Sequence, residues 1–243
     1  MTELVLSPHL DDGVLGMGEA IASMTDVVVA TVFAGDPGRS SASSAWDHDV
    51  APRASTVLAV RRREDRRALR RVGATGVHLG FFEAPYRTTA RSHEVPTADE
   101  VFTALRREVV ALLDTYSPVT LCVPLGVGHV DHMLCSAAAI SAWLERRGCR
   151  LLAYAEQPYA TSRAWLTTDR LRQLRASAVP ARFDCSRAHA LAKREAVALY
   201  TSQVPALRRA FVGWEVGSGE ESCWWLHFDE ALGRRPRLRE DGV

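Results

Sequence analysis

LVLSPHLDDG, residues Leu4 to Gly13, carries an apolar run straight into a histidine and two carboxylates before a glycine opens the next segment. A short run that is apolar at nearly every position suits a strand buried on both faces, as in a parallel sheet. Four more such runs follow, at Val27–Phe33, Val77–Phe82, Val119–Val123 and Leu151–Ala155. Segments of helical periodicity lie between and after them, at Val14–Met24, Thr56–Val72, Asp99–Tyr116, His132–Arg147 and Arg187–Tyr200. Strand and helix alternate, so the expected fold is α/β: a Rossmann-like, doubly wound, mostly parallel sheet with helices on both faces. Right-handed crossovers in such sheets leave ligands beyond the carboxyl ends of the strands. His9, Asp11 and Asp12 fall at such an end.

At ~150 residues per domain, 243 residues favour one domain over 1–243. Hydrophobic residues at 47% and charged residues at 24% exclude a disordered or collagen-like chain. Thirty basic against 29 acidic residues leave a net charge of +1, so no global field draws the chain to nucleic acid or an anionic membrane. The first residues lack a basic leader, and their apolar run is far shorter than the ~20 residues of a membrane span. A cytoplasmic protein with neither nucleic acid nor membrane as partner is expected, and a homo-oligomer stays open. Cys122, Cys135, Cys149, Cys185 and Cys223 are odd in number and never paired as C-x-x-C, so they read as small apolar core residues. The seven arginines of Arg61–Arg71 read as one solvated face of an amphipathic helix rather than a phosphate site. Asp36–Arg53, small, polar and holding two prolines, reads as a long loop, either a lid or a surface excursion.

His9 and Asp12 stand three apart across a tight turn, so both can reach one divalent ion while Asp11 points elsewhere. The plain alternative is an aspartate that only caps the following helix, worth about 1 kcal/mol; one cap explains one acid, not His-x-Asp-Asp. A matching cluster, PLGVGHVDH, runs from Pro124 to His132. Its glycines allow close backbone approach, and His129 and His132 bracket a helix start at i, i+3. His9, Asp12 and one of the two later histidines make three protein ligands, which leaves a fourth position for water, as at catalytic zinc. Asp47-His48-Asp49 lies in a polar loop and reads as solvated charge or a lid contact; His78, His93, His189 and His227 read as structural. Of Trp214, Trp224 and Trp225, at least two are expected in the core or an interface.

PHLDD and GHVDH together resemble the PIG-L (LmbE-like) deacetylases, zinc hydrolases that remove an acyl group from N-acetylglucosaminyl conjugates and antibiotic intermediates. The resemblance extends to RRRED at Arg61–Asp65, HLGFFEAPYR at His78–Arg87, KREA at Lys193–Ala196 and Ser202-Gln203. It implies one zinc ion per chain held by His9, Asp12 and His132, with Asp11 as general base and His129 facing the scissile carbonyl. It also implies that Arg61 and Glu83 contact an amino-sugar substrate; the alternative for each is a surface ion pair. Leu10 and Gly13 replace the proline and glutamate of the common His-Pro-Asp-Asp-Glu motif. Val127 stands where some members carry a tyrosine that donates to the oxyanion, so a different donor or a smaller electrostatic contribution must serve.

Overall fold

A computed structural model describes residues 1–38, 41–88, 98–162, 164–215, 217 and 220–228. Seven strands form one sheet in the order β3-β2-β1-β4-β5-β7-β6. Their ranges are β1 Glu3–Ser7, β2 Val27–Thr31, β3 Thr75–His78, β4 Thr120–Pro124, β5 Arg150–Tyr154, β6 Ser177–Ala181 and β7 Cys223–His227. The first five are parallel to one another, while β7 runs antiparallel to both β5 and β6. The fold is therefore the expected mostly parallel α/β sheet.

Every residue of β2 and β4 is buried, which is why these strands read as unbroken apolar runs. Leu4 and Leu6 face one core layer, with Val28 and Ala30 beside them; Val5 and Val29 face the other. Burying each such side chain stabilises the fold by about 1.5–3 kcal/mol. The helices α4 (Ala98–Tyr116) and α5 (Val130–Arg146) pack together on the first face. On the second lie α1 (Asp12–Ser23), α2 (Ala54–Arg71) and α8 (Arg187–Val197). On α2 the buried stripe is Arg61, Glu64, Asp65, Ala68 and Leu69, with Arg63, Arg66, Arg67, Arg70 and Arg71 exposed, so most of the arginine run is a solvated face.

Four features depart from the sequence reading. β3 ends at His78 rather than Phe82: Leu79 N–H still bonds to Thr31 O of β2 (2.8 Å), but Gly80 bridges antiparallel to Phe33, where the chain turns. That turn carries Glu83 across the carboxyl end of the sheet. β6 and β7 were not legible: β6 is exposed at three of five positions and contains Pro180, tolerable at the edge it occupies. The short helices α3 (Ala84–Thr88), α6 (Tyr159–Ser162) and α9 (Val204–Ala210), with α7 (Ala164–Gln173), were also unforeseen. Cys185 is exposed, unlike the buried Cys122, Cys135 and Cys223 and the half-buried Cys149. Trp214 is buried, and Trp224 and Trp225 pack against opposite core layers. His78 pairs with Asp65 (2.7 Å) and His189 closes a capping box on α8, while His93 lies outside the described residues. No helix among the described residues is long and apolar enough to cross a membrane.

β1 lies between β2 and β4, where the strand order reverses. The register Glu3↔Thr120 to Val5↔Cys122 brings both histidine motifs out at the same end of the sheet, the crevice that doubly wound sheets use for ligands.

Candidate metal centre and active site

The turn after β1 is fixed by its own serine: Ser7 Oγ donates to the His9 carbonyl (2.6 Å) and accepts from the Gly13 N–H (2.8 Å). Asp11 occupies the N-cap of α1, yet its side chain accepts no hydrogen bond from the helix. Capping therefore does not account for it. Asp12 Oδ2 accepts the His9 N–H (2.9 Å) and lies 3.0 Å from His9 Nδ1 and 3.1 Å from His132 Nε2.

The second motif needs its glycines. Gly126 and Gly128 have φ of +91° and +76°, and a Cβ on Gly128 would sit 2.0 Å from Tyr159 Cδ1. Gly128→Ala is expected to lower stability by about 2 kcal/mol or more, from left-handed strain plus the clash. Denaturant unfolding checks this. His129 is the N-cap of α5, its Nδ1 accepting the Asp131 N–H (3.1 Å). The neutral ring therefore carries its proton on Nε2. One turn on, His132 Nδ1 faces the Val127 carbonyl at 2.8 Å. A carbonyl only accepts, so Nδ1 donates and Nε2 presents a lone pair.

That lone pair supplies the test of whether a metal fits. His132 Nε2 is buried and has no well-aligned hydrogen-bond partner, although Asp12 Oδ2 is 3.1 Å away. Two lone pairs at that distance repel unless a metal ion, or in its absence a ring proton, lies between them. Two ligands of one tetrahedral zinc stand about 3.3 Å apart, close to the 3.0 and 3.1 Å separating Asp12 Oδ2 from His9 Nδ1 and His132 Nε2. One nitrogen from each of His9, His129 and His132 also falls within 4.8 Å of the others. His129 thus stands at the same centre as the expected ligands. The residues fit a divalent metal.

The electrostatics separate the two aspartates. Burial and the charge of Asp12 push the Asp11 carboxyl up to about 7. Burial acts on Asp12 too, but His132 and His9 hold it well below the usual carboxylate range. Burial and the nearby His9 lower His129 to about 4, which makes it a neutral imidazole at pH 7. Adjacent carboxylates held in opposite protonation regimes divide into a ligand and a proton acceptor.

A cavity of about 150 Å³ opens over these groups, with Asp11, His129, Arg61 and Glu83 in its lining. Arg61 and Glu83 are not a surface pair: they are 4% and 7% exposed and meet each other at 2.8 Å. Asp47 joins them from the loop, 3.5 Å from Arg61 Nη1, and also accepts from Gln203 Nε2 (3.0 Å). The loop is pinned over the cavity by Trp46 Nε1 donating to Gln203 Oε1 (2.8 Å) and Ser44 N–H donating to Tyr86 Oη (3.2 Å). The lid-contact reading of Asp47 matches this position. His48 and Asp49 are exposed and pair with each other.

Sequence reasoning gave no role to Asp131, Glu156 or Tyr159. Asp131 is fully buried and lies 3.0 Å from His9 Nε2; it sat in plain view inside GHVDH. Glu156 follows β5, accepts from the Gly126 and Val127 N–H groups (2.8 and 3.1 Å) and is raised to about 7 by burial. The strand-end rule that picked out His9 also reaches Glu156. Tyr159 comes from α6 and packs edge-on to His132, with ring centroids 5.2 Å apart; nothing local marks it. Val127, at the position of the missing tyrosine, is buried in the core.

A mostly parallel α/β sheet with a metal-competent histidine–carboxylate centre at its switch point can hold a ligand beside a metal-activated water. The family model of PIG-L, GlcNAc-PI de-N-acetylase, matches residues 4–143, more than half of the chain. The protein belongs to that family and is an amide-hydrolysing enzyme. Its fold is similar to that of the zinc-inhibited form of teicoplanin deacetylase Orf2 (TM-score 0.73, 21% identity, covering 95% of this chain and 100% of that one). It is also similar to the antimicrobial reagent A40926 pseudoaglycone deacetylase Dbv21 (TM-score 0.72, 22% identity, 92% and 96% covered). N,N'-diacetylchitobiose deacetylase from Pyrococcus horikoshii is more distant (TM-score 0.54, 16% identity, 99% and 88% covered). No curated protein matches the sequence.

Proposed function

We propose that the protein is a zinc-dependent N-deacetylase of a small N-acetylglucosaminyl conjugate in specialised metabolism, working as one cytoplasmic domain with one zinc per chain. The observation that carries the reading is the convergence of His9 Nδ1 and His132 Nε2 on Asp12 Oδ2, with Asp11 beside them in the cavity. His9, Asp12 and His132 would hold the metal. When bound, it would supply a Lewis acid and bring the pKa of a water down to about 7.

Asp11 takes the proton of the attacking water, a task suited to a carboxyl whose pKa lies near 7. His129 faces the carbonyl with Nε2–H, so it stabilises the developing oxyanion as a neutral donor rather than as an imidazolium. Asp11 then returns its proton to the departing amine. Trp46, Tyr159 and Leu207 wall the cavity and limit water around these transfers. Pockets for drug-sized ligands measure about 300–1,000 Å³, so a cavity of about 150 Å³ suits the acetamido group and the adjoining ring hydroxyls, leaving the aglycone outside. That size favours acetate over a longer acyl group.

The buried Arg61–Glu83 pair reads those hydroxyls, Glu83 accepting and Arg61 donating. Glu83→Gln is expected to raise KM about 10- to 100-fold, the worth of a charged hydrogen bond, with little change in kcat. Steady-state kinetics on the identified substrate checks the split. The reading as a whole is tested by mass spectrometry of amine products from a panel of N-acetylglucosaminyl conjugates, each paired with a longer-acyl analogue. One neighbour is described as zinc-inhibited, so zinc is held at one equivalent. Acetate release from at least one conjugate, faster than from its analogue, is expected; no release from any loaded sample would contradict it.

A further inference from the structure

We propose that Arg87 is a positioning residue for the metal: acting through Asp131, it holds His9 in the tautomer and orientation that aim Nδ1 at Asp12. The inference rests on the reading of His9, Asp12 and His132 as ligands.

Asp131 is fully buried and surrounded by donors. Its Oδ2 accepts from the Ala84 N–H (3.0 Å) and stands 3.0 Å from His9 Nε2; its Oδ1 accepts from Arg87 Nη2. An ionised carboxylate only accepts, so His9 Nε2 carries a proton toward Asp131; with a metal bound, Nδ1 would turn its lone pair to the site shared with Asp12 Oδ2, 3.0 Å away. Both histidines then present the same geometry, one ring nitrogen donating away from the centre and the other aimed at it. His132 takes its anchor from a main-chain carbonyl, which cannot turn. His9 takes its anchor from a side chain, which can.

Arg87 is the charged side chain that, with the Ala84 N–H, keeps Asp131 from turning. Its guanidinium is itself fixed at two further points, donating to the Phe82 carbonyl (2.6 Å) and lying over the Phe33 ring, 5.0 Å from its centroid. Phe33 in turn is fully buried, and its N–H bonds to the Pro8 carbonyl (2.8 Å), next to His9. The guanidinium therefore ties the segment after β3 to the first metal motif. Without it Oδ1 loses its charged donor, only the Ala84 N–H then steadies the carboxylate, and the Nε2 anchor of His9 loosens with it. Partners of this kind orient a ligating histidine, and their loss weakens metal binding about 10- to 100-fold.

Two variants test it: Arg87→Met, which keeps an unbranched apolar stem against Phe33, and Arg87→Lys, which keeps the charge but not the fork. His132→Ala serves as comparator. Zinc affinity is read by competition with a chromogenic chelator, the ligand field by the visible spectrum of the cobalt(II)-loaded protein, and fold integrity by unfolding of the metal-free forms. Zinc affinity about 10- to 100-fold weaker in Arg87→Met is expected, with Arg87→Lys intermediate and an altered cobalt spectrum in both. If Arg87→Met does not fold, the Arg87→Lys affinity and spectrum decide alone. Wild-type affinity and spectrum in the folded variants, even with a shifted melting point, would overturn the inference while His132→Ala lost zinc. Undiminished zinc binding by His132→Ala would instead overturn the ligand reading, and the role of Arg87 with it.

Discussion

Asp11→Asn is expected to lower kcat about 10²- to 10⁴-fold, the usual contribution of a positioned general base, while zinc stays bound at one per chain. The amide is close to isosteric with the carboxyl, so it preserves the turn fixed by Ser7 and removes the group that accepts the proton. Asp11 makes no cap bond to α1, which leaves little structural work for the substitution to disturb. The raised pKa of Asp11 arises from burial and from Asp12; both act on a charge that asparagine lacks, so stability should hold or rise. Turnover by mass spectrometry alongside metal content by atomic emission separates the two effects. Parental turnover in Asp11→Asn would reassign the base.

His132→Ala produces the opposite signature: zinc affinity falls more than about 100-fold, beyond the range seen when only a supporting partner is lost, and turnover falls with it. The loss goes further than one ligand. His132 is fully buried, donates to the Val127 carbonyl, and lies 3.5 Å from Glu156, which in turn receives the Gly126 and Val127 N–H groups. Removing the ring opens a cavity beside a buried carboxylate, so a stability loss of about 2 kcal/mol or more accompanies the loss of metal. Calorimetric zinc titration and denaturant unfolding check both. Because His9 and Asp12 remain in place, residual weak binding is expected rather than none.

The parallel half of the sheet was legible because strands buried on both faces leave runs such as Val27–Thr31, in which no polar alternation dilutes the signal. The metal motifs were legible for a related reason: His9, Asp12, His129 and His132 are local in sequence, and a strand end followed by a helix start fixes where they point. What was not legible is what packing assembles from far apart. Arg61 and Glu83 each resemble an exposed charge, and only their mutual burial, with Asp47 beneath the loop, makes them part of a cavity. Asp131 and Arg87 lie 44 residues apart and meet only because β3 stops at His78 and turns back across the sheet. β6 and β7 escaped notice because an exposed edge strand has no apolar run to show, and its neighbour CWWLH is only half buried.

The most direct measurement is acetate release from an accepted N-acetylglucosaminyl conjugate as zinc is titrated into metal-free protein, followed in parallel with bound zinc. Release should rise in proportion to occupancy and reach its maximum at one zinc per chain, with Asp11→Asn binding the same equivalent and releasing almost nothing. Acetate release at full rate from metal-free protein, or none at one bound equivalent, would contradict a metal-centred deacetylase.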